Sequence, residues 1–232
     1  DWVLYTQNIV CKYYADSILV HGDKRILPLI SDRTRQANSV QIIKDIEHLV
    51  QYTGYVCDEK QPVHNQKDNN IYVSTGLNKD ESVLLFKKIA EIAHYYPNHK
   101  FIMPIANKYN SMGGRRNKNI YLVEYVPELR KKLTTCAAYI TYGGYNATVE
   151  ILKGQIPSIL VPRQSGKKME QFIRAFTFEP YDFYKVLTLQ EFNNIKIVLD
   201  EILNGYKPQP FEFNLKGAST TAKFLSEIHN GS

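Results

Sequence analysis

The chain has 232 residues, of which 44% are hydrophobic and 22% charged. That balance is ordinary for a globular protein and excludes a disordered or fibrous one; the length suffices for one large domain or two small ones with a real core. The net charge of +6 admits an anionic partner, but the basic clusters (Arg115, Arg116 and Lys118; Arg130, Lys131 and Lys132; Lys167 and Lys168) are short and read mostly as solvated faces, so a nucleotide or an anionic membrane surface explains the excess better than DNA does.

In chain order, residues 1–14 read as a helix of mixed periodicity, and "ADSILVHGD" (15–23) as an apolar strand ending at His21-Gly22. Residues 24–30 look helical, 31–39 are polar loop, and 40–56 hold a helix followed by a strand over 49–56. The polar run 57–70 contains one proline and is the predicted linker. Beyond it the rhythm is regular. "NIYVST" is a buried strand ending at Gly76. Residues 80–96 form an amphipathic helix with Leu85, Ile89, Ile92, Ala93 and Tyr96 on one face and Lys87, Lys88 and Glu91 elsewhere. A strand at 100–106, a glycine-containing polar loop and a strand at 120–126 follow; Pro127 then opens a short helix at its favoured first position. Next come a strand (137–142), a helix (145–153), a strand (157–162), a helix (168–176), a short strand (184–188), a helix (189–203) and a terminal helix (217–228). Strand and helix alternate, and the strands are continuous apolar runs. That pattern predicts an α/β fold with a parallel sheet covered by helices on both faces.

Three widely spaced cysteines, Cys11, Cys57 and Cys136, with no CxxC, argue against a disulfide framework or a structural zinc site and suit a reducing, cytoplasmic setting. No run approaches the roughly 18 to 20 apolar residues of a membrane span. "DWVLYTQNIV" lacks the basic region and cleavage pattern of a signal peptide, and the missing initial methionine leaves room for a longer parent chain.

Ligands of open parallel sheets bind beyond the carboxyl ends of the strands. The informative residues are therefore Ser74, Thr75 and Gly76; Tyr125 and Val126; Gly143 and Gly144; and Pro162 and Arg163. Two of these exits are small or glycine and lead towards a helix start, which is the chemistry of phosphate cradling. Gly-Gly alone is more often a tight turn, and neither GxxxxGK[ST] nor GxGxxG is present. Glu150 lies six residues after Gly144. There a carboxylate could accept two ribose hydroxyls, although by itself it reads equally well as an exposed helix glutamate.

Together, "TYGGYNATVEILKGQIPSILVPR" (141–163) and "MEQFIRA" (169–175) resemble the C-terminal domain of GT-B glycosyltransferases of family 28, the group of the bacterial N-acetylglucosaminyltransferase that acts on lipid-linked muropeptide. The stretch is also similar to predicted glycosyltransferases that carry "GGYNT-x-x-E", "VPR" and "EQ-x-x-RA". The resemblance covers about 52–178, and 143–175 is its specific part. It implies two Rossmann-like domains with a nucleotide sugar held mainly by the C-terminal one. Residues 1–56 would be the end of the N-terminal, acceptor-binding domain, 57–70 the linker and 71–232 the donor domain, whose last helix can pack back on 1–56. By the same resemblance, Ser74, Thr75, Gly76, Gly143, Gly144 and Tyr145 face the diphosphate. The backbone of Val126 reads the uracil edge, Glu150 binds the ribose, and Glu170 and Gln171 contact the sugar. Ser-Thr-Gly replaces a more glycine-rich loop and Glu-Gln replaces Gln-Gln, which leaves the sugar open. Most of the N-terminal domain, which in the family supplies the acceptor site and the candidate base, is not among these residues.

The implied reaction is inverting displacement at the anomeric carbon of a UDP-linked sugar, with the departing diphosphate stabilised by backbone N–H groups and a helix dipole. The chain has no strict DxD, which fits metal independence, and no cofactor is expected because the nucleotide sugar is a substrate. The acceptor is unassigned, with lipid-linked or membrane-associated molecules among the candidates. The general base is also unassigned; His21 follows a strand and reads as structural or exposed. Two alternatives stay open: a nucleotide-sugar hydrolase or epimerase on the same scaffold, and a donor-binding half-enzyme needing a partner chain. Nucleic-acid binding is weakest, since no recognition motif or basic stripe with aromatics is present.

Overall fold

The computed structural model describes residues 15–24, 45–57, 68–74, 79–104, 117–163, 170–210, 212 and 214–231. The predicted first helix, the helix and loop over 25–39, and the polar loop over 107–116 lie outside the described residues. The chain divides into two compact units, residues 1–59 with 212–232, and residues 60–211.

In the first unit, β1 (Ile18–Val20) pairs in parallel with β2 (Val50–Tyr52). The strand predicted over 49–56 stops at Tyr52, because Gly54 takes a left-handed φ of 90° that no regular strand accommodates. Residues 53–57 are then clipped to 214–217. The Tyr55 amide donates to the Asn214 carbonyl, the Gly217 amide to the Tyr55 carbonyl, and the Cys57 thiol to the Leu215 carbonyl. Helix α6 (Gly217–Gly231) starts at this clip.

The second unit is a six-stranded parallel sheet. Its strands are β3 (Asn70–Val73), β4 (Lys100–Pro104), β5 (Ile120–Val123), β6 (Ala138–Thr141), β7 (Ser158–Leu160) and β8 (Lys185–Val186). They lie in the order β5-β4-β3-β6-β7-β8, and every pairing is parallel. The chain starts at the centre, runs to one edge, then crosses back and runs to the other. The strand order therefore reverses between β3 and β6, the position where doubly wound sheets bind ligands. Right-handed crossovers then put the helix after β3 on one face of the sheet and the helices after β6 and β7 on the other.

Helix α1 (Lys79–Ile92) follows β3, and α2 (Leu129–Leu133) follows β5. Helix α3 (Tyr145–Gly154) follows β6, α4 (Glu170–Phe178) follows β7, and α5 (Ile195–Leu203) follows β8. One continuous core joins Leu85, Phe86, Ile89 and Ile92 of α1 to Ile71, Val73, Phe101, Met103, Ile140 and Ile159 of the sheet and to Ile195, Leu199 and Ile202 of α5. Period-two alternation turns Tyr72, Tyr139, Thr141 and Leu160 to the other face, where they too are buried. The predicted amphipathic helix is thus present, and Leu85 and Ile89 are fully buried.

Two helix boundaries differ from expectation. Pro127 does not open a helix: it lies in a turn, Glu128 adopts a left-handed φ of 51°, and α2 begins at Leu129. The helix predicted over 189–203 is a 3-10 segment (Leu189–Asn194) followed by α5; the Thr188–Glu191 capping box opens the tighter segment. No helix among the described residues is long and apolar enough to cross a membrane.

Candidate functional site

The β6 exit carries the glycine pair. Gly143 is buried with φ of 75°, and a Cβ there would lie 3.0 Å from Leu160 Cδ2. Only glycine takes this conformation without strain. The turn is held from both sides: the Thr148 hydroxyl donates to the Gly143 carbonyl at 3.2 Å, and the Arg174 guanidinium of α4 donates to it at 3.4 Å. Arg174 is buried, and its guanidinium stands 5.4 Å from the centre of the Tyr145 ring. A positive charge therefore sits behind the glycine turn. Gly144 is the N-cap of α3, and no side chain caps that helix. A bare helix N-terminus beside a buried cation favours an anion.

Ser74 follows β3 across the switch point from this turn. Its amide donates to the Ile140 carbonyl, and its hydroxyl donates to Thr141 Oγ1 at 3.1 Å while lying 2.7 Å from the Tyr139 phenol oxygen. Both Ser74 donors are therefore taken by β6. The residue pins the loop start to the neighbouring strand. Burial pushes the Tyr139 phenol up, which keeps this cluster neutral. Thr75 and Gly76 lie outside the described residues.

At the carboxyl ends of β4 and β5, a pocket of about 380 Å³ is lined by Pro104, Glu124, Tyr125, Val126, Leu129 and Arg130, among others. That volume falls in the usual range for small-molecule sites. Val126 is buried, whereas Tyr125 is 72% exposed. Glu150 of α3 is tied to this pocket through Arg130: Arg130 Nε lies 2.9 Å from Glu150 Oε1. The Glu150 side chain is 18% exposed, which corrects the reading of an ordinary surface glutamate.

Gln171 sits in the first turn of α4, and its Oε1 is buried without a hydrogen-bond partner. The same holds for Arg163 Nε, just past β7. A buried polar atom left unpaired costs about 1–3 kcal/mol, so both mark places where a polar ligand would be welcome. Glu170 begins α4, and its side chain lies outside the description.

The structure thus brings Gly143, Gly144, Tyr145 and Ser74 to one switch point, and it joins Glu150 to the Val126 pocket. Sequence reasoning missed Arg130 and leaves Arg174 between a site role and a structural one; the structure gives Arg174 its hold on the Gly143 carbonyl. Arg130 was hidden in a run of three basic residues, with no local signal that one of them points at Glu150. In the first unit, Thr53 Oγ1 donates to the Val20 carbonyl and so accepts from His21 Nδ1 at 2.9 Å. Among the described residues, no three His, Cys, Asp or Glu side chains gather as a metal site.

No protein-family model matches the chain, and no curated protein matches it. Solved structures do. The calicheamicin glycosyltransferase CalG4 matches with a TM-score of 0.56 at 16% identity, covering 96% of this chain and 54% of that one. The kitacinnamycin glycosyltransferase matches with a TM-score of 0.56 at 13% identity, covering 82% and 47%. The spinosyn rhamnosyltransferase SpnG complexed with thymidine diphosphate matches with a TM-score of 0.54 at 14% identity, covering 96% and 66%. The chain spans about half the length of the first two. At these identities the likeness is one of fold: an α/β, Rossmann-like parallel sheet shared with GT-B glycosyltransferases.

Proposed function

We propose that this chain carries the donor-binding part of a glycosyltransferase and holds a nucleoside-diphosphate sugar at the β3/β6 switch point. The diphosphate lies at the Gly143-Gly144 turn and the α3 N-terminus, with Tyr145 opening the helix and Ser74 at the opposite strand exit; the family 28 resemblance extends the diphosphate loop to Thr75 and Gly76. The nucleobase enters the pocket backed by Val126, and Glu150 accepts the ribose hydroxyls. Glu170 and Gln171 meet the sugar, where the unpaired Gln171 Oε1 accepts a sugar hydroxyl. The observation that carries this reading is spatial: an uncapped helix start behind two glycines, and on the same helix a half-buried carboxylate tied to a pocket wall. Six residues at 1.5 Å rise separate the two ends by about 9 Å, the scale of a nucleoside diphosphate.

The reaction that follows is transfer of the sugar to an acceptor with inversion and without a bound metal. The helix start and Arg174 stabilise the charge growing on the leaving diphosphate. UDP is the preferred nucleotide on the family 28 resemblance. A thymidine diphosphate complex of SpnG makes dTDP the competing candidate. The acceptor stays unassigned, with lipid-linked and membrane-associated molecules as candidates; a cytoplasmic setting at the membrane periphery is one that the +6 charge suits. Calorimetric titration of UDP, GDP and dTDP into wild type and Glu150→Ala tests the reading. Binding of one diphosphate, weakened by the substitution, supports it; no binding, or an unchanged affinity in Glu150→Ala, overturns it.

A further inference from the structure

The Val126 pocket has an unexpected charge. Its described lining contains Glu124 and Glu128 and a single cation, Arg130. Glu150 adds a third carboxylate beside it, only 18% exposed and bonded to Arg130 alone among the ion pairs of the described residues. Three negative charges against one positive charge is a poor setting for an anionic ligand. The imbalance matters because the proposed diphosphate sits about 9 Å along α3 from Glu150, inside one Debye length at about 0.1 M salt or below. Arg130 is placed to relieve it. It lies on the first turn of α2, its guanidinium reaches Glu150 at 2.9 Å through Nε, and its side chain is 63% exposed. One Nε contact occupies one Glu150 oxygen and leaves Oε2 open to a hydroxyl. The remaining guanidinium nitrogens belong to a residue that lines the pocket.

We infer that Arg130 is a positioning residue of the donor site: it neutralises Glu150 and aims its carboxylate, so that a ribose-binding anion can coexist with a bound diphosphate. This rests on the donor-site reading given above. It extends that reading to a residue whose position in a basic run gives no sign of the role. With its Arg130 end 63% exposed, the Arg130–Glu150 pair contributes little to folding. Its effect belongs to ligand charge, which separates it from a merely structural pair.

The test is calorimetric binding of UDP and dTDP to the full chain, at about 20 mM and about 500 mM salt, for wild type, Arg130→Ala, Arg130→Lys, Glu150→Gln and Arg130→Ala/Glu150→Gln. Arg130→Ala is expected to weaken the diphosphate that wild type binds by about tenfold at low salt and by less than about threefold at high salt. Arg130→Lys, which keeps the charge, recovers most of the loss. In the Glu150→Gln background the same Arg130→Ala change costs less than about threefold, because there is no carboxylate left to neutralise. Unchanged low-salt affinity in Arg130→Ala overturns this role and leaves the donor site standing. So does a loss that is equal at both salts and in both Glu150 backgrounds. Failure of wild type to bind either diphosphate overturns the donor site and this role with it.

Discussion

A Cβ on Gly217 would lie 2.5 Å from the Gly54 carbonyl oxygen, whereas a Cβ on Gly143 or Gly144 would meet only side chains, Leu160 at 3.0 Å and the Tyr142 hydroxyl at 2.8 Å. Both sites lie at a helix start: Gly217 is the first residue of α6, and Gly143 and Gly144 immediately precede α3. In the first, the chain closes on itself: the Gly217 amide donates to the Tyr55 carbonyl, and backbone fills the space. In the second, the glycines stand in front of a helix with no side-chain cap. The missing Cβ makes way for backbone at the first site and for the Leu160 and Tyr142 side chains at the second. The type of residue does not distinguish the two uses; what the missing Cβ would touch does.

Substitutions should separate the two turns. Gly217→Val is expected to have the largest effect on folding, about 2–3 kcal/mol, because backbone cannot move aside as a side chain can; chemical denaturation followed by circular dichroism reads it. Gly143→Ala combines the strain of a positive φ with contact on Leu160, for about 1–3 kcal/mol, and it also disturbs the carbonyl held by Arg174 and Thr148. It should lower stability and diphosphate affinity together. Glu150→Ala should do the opposite of Gly217→Val. Stability changes by less than about 1 kcal/mol, as for an ion pair with one solvated end, while the loss of bonds from ribose hydroxyls to a carboxylate reduces affinity by about ten- to hundredfold. Equal losses of stability and affinity in Glu150→Ala would mean a structural role.

The smallest expected effect lies away from both turns. The Lys196 ammonium, 2.6 Å from Asp200, and the Tyr96 hydroxyl, 2.7 Å from it, hold the Asp200 carboxyl below the usual value despite some burial. A carboxyl depressed by folding adds stability above its unfolded pKa of about 3.9 and loses it as pH falls through the folded value. Asp200→Asn should therefore flatten the acid limb of stability below about pH 4 and leave diphosphate binding unchanged, as denaturation at pH 3 and pH 7 would show.

Much of this was legible in the residues, for physical reasons. Strands buried on both faces are continuous apolar runs, so β3, β6 and β7 declared themselves, and the Leu85–Tyr96 stripe declared α1. The switch point followed once alternation implied a parallel sheet. Boundaries set by backbone conformation were less accessible. Pro127 at a favoured first helical position was outweighed by Glu128 in a left-handed conformation, and the 49–56 strand was cut short by the positive φ of Gly54. Arg130 stayed hidden because a contact between α2 and α3 is a tertiary event, and a run of basic residues looks the same whichever of them turns inward. In sequence Ser74 offers a hydroxyl at a strand exit, and the structure commits that hydroxyl to Thr141.

The central claim, that the β6 exit and the Val126 pocket hold two ends of one nucleoside diphosphate, is tested most directly by following backbone amide resonances during a UDP or dTDP titration. The account predicts that the largest shifts fall on Gly143 to Ala147 and on Tyr125 and Val126, saturating with a single affinity. Shifts confined to one of these groups, or centred on the groove lined by Leu84, Lys87, Gln190 and Asn193, would contradict it.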